Sequence, residues 1–332
     1  GLAGLAAAGS MLTWQVELVV QPKPFPSYSP SLGGTLSTYV TDSGVLAVAW
    51  SPNGTSVAMG NWKGHVQTWG NNAITFHDPS LMQRVEALIW LPDGNSIAAG
   101  GDDALVRIWN VTNGEIRRIY RGHADWVITV ACSPDGKYIA SGSNDQTVQV
   151  WEVTTGRQVV IYRGHSGGIG SVAWSPDGKY IASASFDATV QIWEAATGRA
   201  VFSYPGHTDA VYTVAWSPDG QLIASGGRDH LVQVWPVTLF ESNGQRQKHS
   251  IITYDGHSAS VQAVAWSPDS RNIASAGDNV QIWNGLTGKH IFTYTKHATS
   301  TAQGVQAVAW SPNGRYIASG GLEGTVQVWN AR

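Results

Sequence analysis

Apolar runs of four to six residues, rich in Val, Ile, Tyr and Trp, recur along the chain and are parted by Gly, Pro, Asp and Ser. One stretch shows the order cleanly: Gln158–Tyr162, Ile169–Trp174, Tyr180–Ser183 and Thr189–Trp193. Such runs read as short strands. Between two of them lies Ser175-Pro176-Asp177-Gly178, a tight-turn sequence in which Pro fixes φ and Gly is free to take positive φ. No stretch keeps the 3.6-residue period over the length a helix needs. The pattern predicts an all-β chain.

The pattern also repeats. The Trp that closes the last run of each unit recurs as Trp69, Trp109, Trp151, Trp193, Trp235, Trp283 and Trp329, at intervals of 40, 42, 42, 42, 48 and 46 residues. A second Trp, before the Ser-Pro turn, recurs as Trp50, Trp90, Trp174, Trp216, Trp266 and Trp310, with Cys132 in its place in the third copy. Four antiparallel strands per copy, in seven copies, predict blades stacked radially about a channel. The fold class expected is a seven-bladed β-propeller over residues 35–332.

Composition narrows the function. Of the 332 residues only 13% are charged and the net charge is −3, so there is no basic footprint and nucleic acid is not expected as a partner. Sixteen Trp supply an ample core, and a single Cys rules out an internal disulfide.

Residues 1–34 stand apart. Gly1 to Trp14 carries no charge, and two readings fit: a cloning scar ahead of Met11, or the end of a membrane-spanning helix with Trp14 at the interface. The second implies a membrane anchor upstream and an extracytoplasmic propeller; the first leaves it cytoplasmic. Gln15 to Val20 fits an edge strand. Pro22, Pro24, Pro26 and Pro30, then Gly33-Gly34, read as a linker.

The third copy carries Gly122-His123, Ser133-Pro134-Asp135-Gly136, Ile139-Ala140-Ser141-Gly142, Asp145 and Val148-Gln149-Val150-Trp151. At this period these motifs resemble the WD-repeat family of β-propellers, over Leu36 to Trp329. The Trp-Asp dipeptide itself is absent; Gly, Asn, Glu or Pro follows Trp. The resemblance implies that the first strand of each repeat is the outer strand of the preceding blade, so Leu36–Val40 should pair with the last blade and close the ring.

It also implies a role for a recurring Ser, His and Asp. His123, Ser141, Asp145 and Trp151 in the third copy match His165, Ser183, Asp187 and Trp193 in the fourth and His207, Ser225, Asp229 and Trp235 in the fifth. A catalytic triad would occur once, whereas this set recurs. The expected arrangement runs from indole N–H to Ser, His and Asp inside each blade. In the sixth copy the turn is two residues shorter, so Asp278 is expected to fall short of His257. In the seventh, Lys296-His297 replaces Gly-His and Glu323 replaces Asp. The second copy has Ala99 for Ser, and the first has Met59 and Lys63 at the Ser and Asp positions, so no network is expected there. Copies three to five are accordingly expected to be the most rigid. His65, His77 and His290 read as lone surface residues, with no metal spacing among them. Ser166–Gly170 opens no helix and is no phosphate cradle. Cys132 is expected to fill the place of the missing indole as a small buried apolar group.

Copies three and four, Tyr120–Glu152 and Tyr162–Glu194, agree at 22 of 33 positions. Several differences fall beside loops that the family places on one face: Trp126 aligns with Gly168, Ile128 with Gly170, Asn144 with Phe186. The resemblance implies that partners dock there, through the residues flanking the leading Val or Ile of each repeat and the residue before the turn Asp. Those positions hold Trp62, Arg84, Glu86, Asp102, Trp126, Ile128, Asn144, Phe186, Tyr212, Arg228, Gln262, Gln306 and Leu322. Two insertions stand out, one between Trp235 and His257 expected on the opposite face, and four residues after His297 on the docking face.

The expectation is a monomeric, non-enzymatic scaffold that binds a protein or peptide, with no catalytic residues, cofactor or metal. A small-molecule or glycan sensor using the central channel is the alternative. The similarity of the repeats to one another, and the tail, resemble the WD-repeat regions that follow the kinase domain of some bacterial serine/threonine kinases. This implies a larger bacterial signalling protein, although no kinase motif lies in this chain.

Overall fold

The computed structural model describes residues 31–70, 74–77, 84–237, 252–297 and 304–332. The tail ahead of residue 31 and both insertions lie outside these residues. The described residues form seven four-stranded antiparallel sheets, the blades of a propeller. In blade 4 the strands are Ile169–Trp174, Tyr180–Ser185, Val190–Glu194 and Ala200–Tyr204, from the axis outward. Blades 1 to 6 run in chain order and start at Val45, Val85, Val127, Ile169, Val211 and Ala263. Blade 7 takes Val305–Trp310, Tyr316–Gly321 and Thr325–Asn330, and its fourth strand is Thr35–Val40 from the start of the chain. That strand pairs antiparallel with Thr325–Asn330, with a bulge between Thr35 and Ser37. The closing strand expected from the sequence is therefore present, one residue longer at its start.

The core lies between blades rather than within them. Ala140, Val148, Val150 and Tyr162 of blade 3 pack with Ile169, Val172, Ile181 and Trp193 of blade 4. Small residues on the second strand make room for the next blade: a Cβ added to Gly142 would lie 2.5 Å from Ile169 Cγ2. The outer-strand Tyr crosses the same seam. Tyr162 stacks on Trp193 at 4.6 Å, and its hydroxyl donates to Gln191 Oε1 at 2.5 Å. Tyr39 of the closing strand stacks likewise on Trp69 of blade 1, so that strand completes blade 7 and grips its neighbour.

The buried polar network is more extensive than its sequence suggests. In blades 3, 4 and 5 the His Nδ1 lies 2.8 Å from the Asp and Nε2 lies 2.8 Å from the Ser, for His123, His165 and His207. Two expectations need correction, the reach of Asp278 and the indole links of Trp151 and Trp235. Asp278 does reach His257, at 2.8 Å. Gly277 permits it, since its missing side chain lets the shorter turn lie against the ring, where a Cβ would come 3.3 Å from His257 Nδ1. In blade 7, Glu323 serves as the Asp at 2.6 Å, and Ser319 bonds both His297 and the Trp329 indole. The indole link forms in blade 4, where Trp193 Nε1 donates to Ser183 Oγ at 3.2 Å, but Trp151 and Trp235 meet no acceptor among the described residues. Stacking on Tyr120 and Tyr204 positions those two rings whether or not the N–H is satisfied.

Blades 1 and 2 replace the network by other pairs. In blade 2, Arg107 stands where the other blades have Gln, is fully buried, and forms an ion pair with Asp103, Nη2 lying 2.5 Å from Oδ2 without hydrogen-bond alignment. In blade 1 the charges are exchanged. Asp42 occupies the loop that elsewhere carries His, and it holds His65 at 3.2 Å and Lys63 at 3.3 Å. His65 is thus part of a cluster and not a lone surface residue. Blades 3 to 7, not 3 to 5, are expected to give the slowest amide hydrogen exchange, and blade 1 the fastest. Equal protection around the ring would contradict this.

The network also sets a response to acid. Burial opposes ionisation of Asp145, Asp187, Asp229, Asp278 and Glu323, but the hydrogen bond from each His prevails and holds the carboxyl low, at about 2 for Asp278. A folded pKa below the unfolded value of about 4 adds stability that is complete above about pH 5 and is lost as pH falls toward 2. The urea midpoint is expected to fall over that window. Asp187→Asn should lower the midpoint at pH 7 and flatten the fall; a parallel curve would show that Asp187 is not a source of it.

Candidate docking face

Because strands alternate in direction, the outer-to-inner loops and the second-to-third turns of every blade emerge on one face, here called upper. Backbone bonds fix the two sets together. Asn144 N–H donates to Trp126 O at 3.0 Å, Phe186 to Gly168 O at 2.9 Å, Arg228 to Ala210 O at 2.8 Å and Trp62 to Gly44 O at 3.0 Å. In blade 2 a side chain does this work, Asp102 Oδ1 accepting from Arg84 N–H at 3.1 Å. Residues separated by some 18 positions in sequence thus share one edge of each blade.

None of the residues expected at the docking face is buried. Trp62, Trp126 and Phe186 are 42%, 38% and 41% exposed, unusual for rings of this size. Arg84 connects two of them, its Cζ 5.2 Å from the Trp62 ring and 5.5 Å from the Trp126 ring. Such contacts are worth about 0.5–1 kcal/mol at exposed sites and hold the guanidinium between the indoles. Glu86 steadies it from below at 3.7 Å. Burial pushes the Glu86 carboxyl up, Arg84 pulls it back and Asp102 adds to the rise.

Further rings stand on blades 4 and 5. Phe186 meets Tyr212 edge to face at 5.8 Å, and Arg228 lies 3.8 Å from Asp209. Gly168 matters here, because a Cβ on it would come 3.0 Å from both Asn144 Oδ1 and the Phe186 ring. Blades 1 to 5 therefore carry two groups of aromatic and Arg side chains, Trp62–Arg84–Trp126 on blades 1 to 3 and Phe186–Tyr212 with Arg228 on blades 4 and 5. Ile128, Gln262, Gln306 and Leu322 are half-buried, and Leu322 packs toward the Gly44 loop rather than joining either group.

Among the described residues no cluster of three or more His, Cys, Asp or Glu could hold a metal ion, and no helix is long and apolar enough to cross a membrane. The Ser-His-Asp sets sit inside blades, with His side chains at 0–2% exposure, where they satisfy one another. The sequence model of the family described as WD domain, G-beta repeat, matches residues 32–70, 74–110, 114–152, 156–194, 198–236, 248–284 and 288–330. Each match ends one residue past the recurring Trp. A search of the curated proteins finds no match.

Proposed function

The chain belongs to the WD-repeat family, whose propellers are in general protein-interaction scaffolds, and from that premise we propose that it binds a protein or peptide on its upper face. The observation that carries this reading is the exposed band Trp62–Arg84–Trp126 with Phe186–Tyr212 beside it. Aromatic and Arg side chains dominate interface energetics, since they bury large area with little loss of conformational freedom. Here the rings are also pre-ordered by one another. The Pro-rich segment from Pro22 to Pro30 has linker composition, and the resemblance of the repeats and tail to the WD-repeat regions of some bacterial serine/threonine kinases favours a place in a larger signalling protein.

Peptides selected from a displayed library on the intact chain provide the test. Trp126→Ala with Phe186→Ala is expected to weaken their binding at least about thirtyfold, the effect of losing one hot-spot ring of about 2 kcal/mol or more. Circular dichroism would check that the double variant is folded. Selected peptides that bind the folded variant as tightly as the parent would remove this face from consideration.

A further inference from the structure

Six of the seven seams between blades carry a Trp at the end of the inner strand, three of them with a Tyr from the neighbouring blade beside it, and a single seam lacks the Trp. Between blades 7 and 1, Trp50 stacks on Tyr316 with 6.3 Å between ring centroids, and its indole N–H donates to Ala309 O at 3.2 Å. The same indole-to-carbonyl bond joins Trp174 to Ala131, Trp266 to Ala215 and Trp310 to Ala265, at 3.1, 3.3 and 3.1 Å. Trp174 and Trp216 pack in clusters that hold Tyr138 and Tyr180, the counterparts of Tyr316.

Between blades 2 and 3 both rings are missing. Cys132 replaces the Trp. Ser96 replaces the Tyr, as the register shows: Ser96 lies opposite Asn110 just as Tyr138 lies opposite Glu152. A third change falls in the same place. Arg118, opposite Ile108, stands where blade 3 has Val160, opposite Val150.

A cavity of about 590 Å³ opens at this seam. Leu91, Ile108 and Val153 form its apolar wall, and Cys132 packs in the same cluster as these three, next to the vacated position. Its rim is made by exposed residues of lower-face turns, Asp93 and Asp135 among them. The polar wall is uneven. Arg117 is occupied, bonded to Ser96 Oγ at 2.6 Å and 3.4 Å from Asp93. Arg118 is only partly so: its Nη2 donates to Thr154 O, while its buried Nε meets no acceptor among the described residues.

We propose that this cavity is a binding site for a planar aromatic acid of roughly indole size, independent of the upper face. The ring lies against Leu91, Ile108 and Val153 where the six other seams hold their own Trp, and the carboxylate pairs with the Arg118 guanidinium. The volume falls within the range of about 300–1,000 Å³ typical of small-molecule sites. The acid is either a free metabolite or the C-terminal aromatic residue of a peptide.

Ligand-observed NMR and calorimetry on the intact chain test this with indole-3-acetate, indole and acetate as probes. Indole-3-acetate is expected to bind at least about tenfold more tightly than indole, the worth of one charge-assisted hydrogen bond, and acetate not at all. Cys132→Trp restores the missing ring and should abolish binding; Ser96→Tyr, which fills the slot from the other side, serves if that variant does not fold. Arg118→Leu should bring indole-3-acetate down to the affinity of indole. A short peptide ending in Trp that displaces indole-3-acetate would identify a chain terminus as the source, and failure to displace it would point to the free acid. No transfer to wild-type protein, or undiminished binding by a folded filled variant, would overturn the site.

Discussion

Removing residues 1–40 is expected to leave a protein that associates and melts far below the parent. The deletion strips the fourth strand from blade 7 and exposes the backbone of Thr325–Asn330, an open edge that invites pairing between molecules. It also removes Leu36 and Tyr39 from the cluster that joins blade 7 to blade 1, including the Tyr39–Trp69 stack at 4.6 Å. Two such half-buried side chains contribute on the order of 2–4 kcal/mol together, before any backbone bond is counted. Size-exclusion chromatography and thermal unfolding would read the effect. A synthetic peptide covering residues 31–42 should restore the parent's elution volume in trans. A truncated chain that elutes like the parent with an unchanged Tm would show that the ring does not depend on this strand.

Asp103→Ala should be the most damaging single substitution in blade 2. Arg107 has no exposed surface, and Asp103 is its ion-pair partner among the described residues. Taking the carboxylate away leaves a buried, uncompensated guanidinium, which costs about 3–5 kcal/mol. Replacing the pair is a different matter. Arg107→Met with Asp103→Ala is expected to recover most of that loss, because an apolar side chain of similar length needs no counter-charge. Urea unfolding of the three proteins checks the ordering. A single Asp103→Ala variant as stable as the double would show that the charge finds water or another partner.

Much of this was legible because a repeat tests itself. Seven recurrences of Trp69 through Trp329 leave little freedom in strand number, and the borrowed strand near Leu36 follows once the last copy is seen to end at its third strand. The network was legible where its residues are the common ones, as at His165, Ser183 and Asp187. It was misjudged where they depart from type. Turn length suggested that Asp278 falls short, yet strand register and Gly277 decide where that carboxylate lies. Arg107 carries no signal until it is seen that its blade lacks both Ser and His, leaving room for a guanidinium. His65 looks solitary in sequence, and only the loop from the preceding blade brings Asp42 to it.

The candidate face divides in the same way. That Trp62, Trp126 and Phe186 lie on loop edges followed from the resemblance of the repeats to the WD-repeat family, carried over position by position. That Arg84 lies between two indoles did not, because Trp62 and Trp126 belong to different blades and meet only when the sheets are set side by side.

The sequence by itself determined the all-β class, the seven units, the four strands of each and the residues that occupy equivalent places, since all of these depend on local pattern repeated at a fixed period. The tertiary structure alone decided what happens between units: which Tyr stacks on which Trp, which carboxylate reaches which His, and where a missing ring leaves a cavity. Contacts across a seam join residues from two copies whose partners are set by packing and register, and a periodic pattern carries no record of the distance between its own copies.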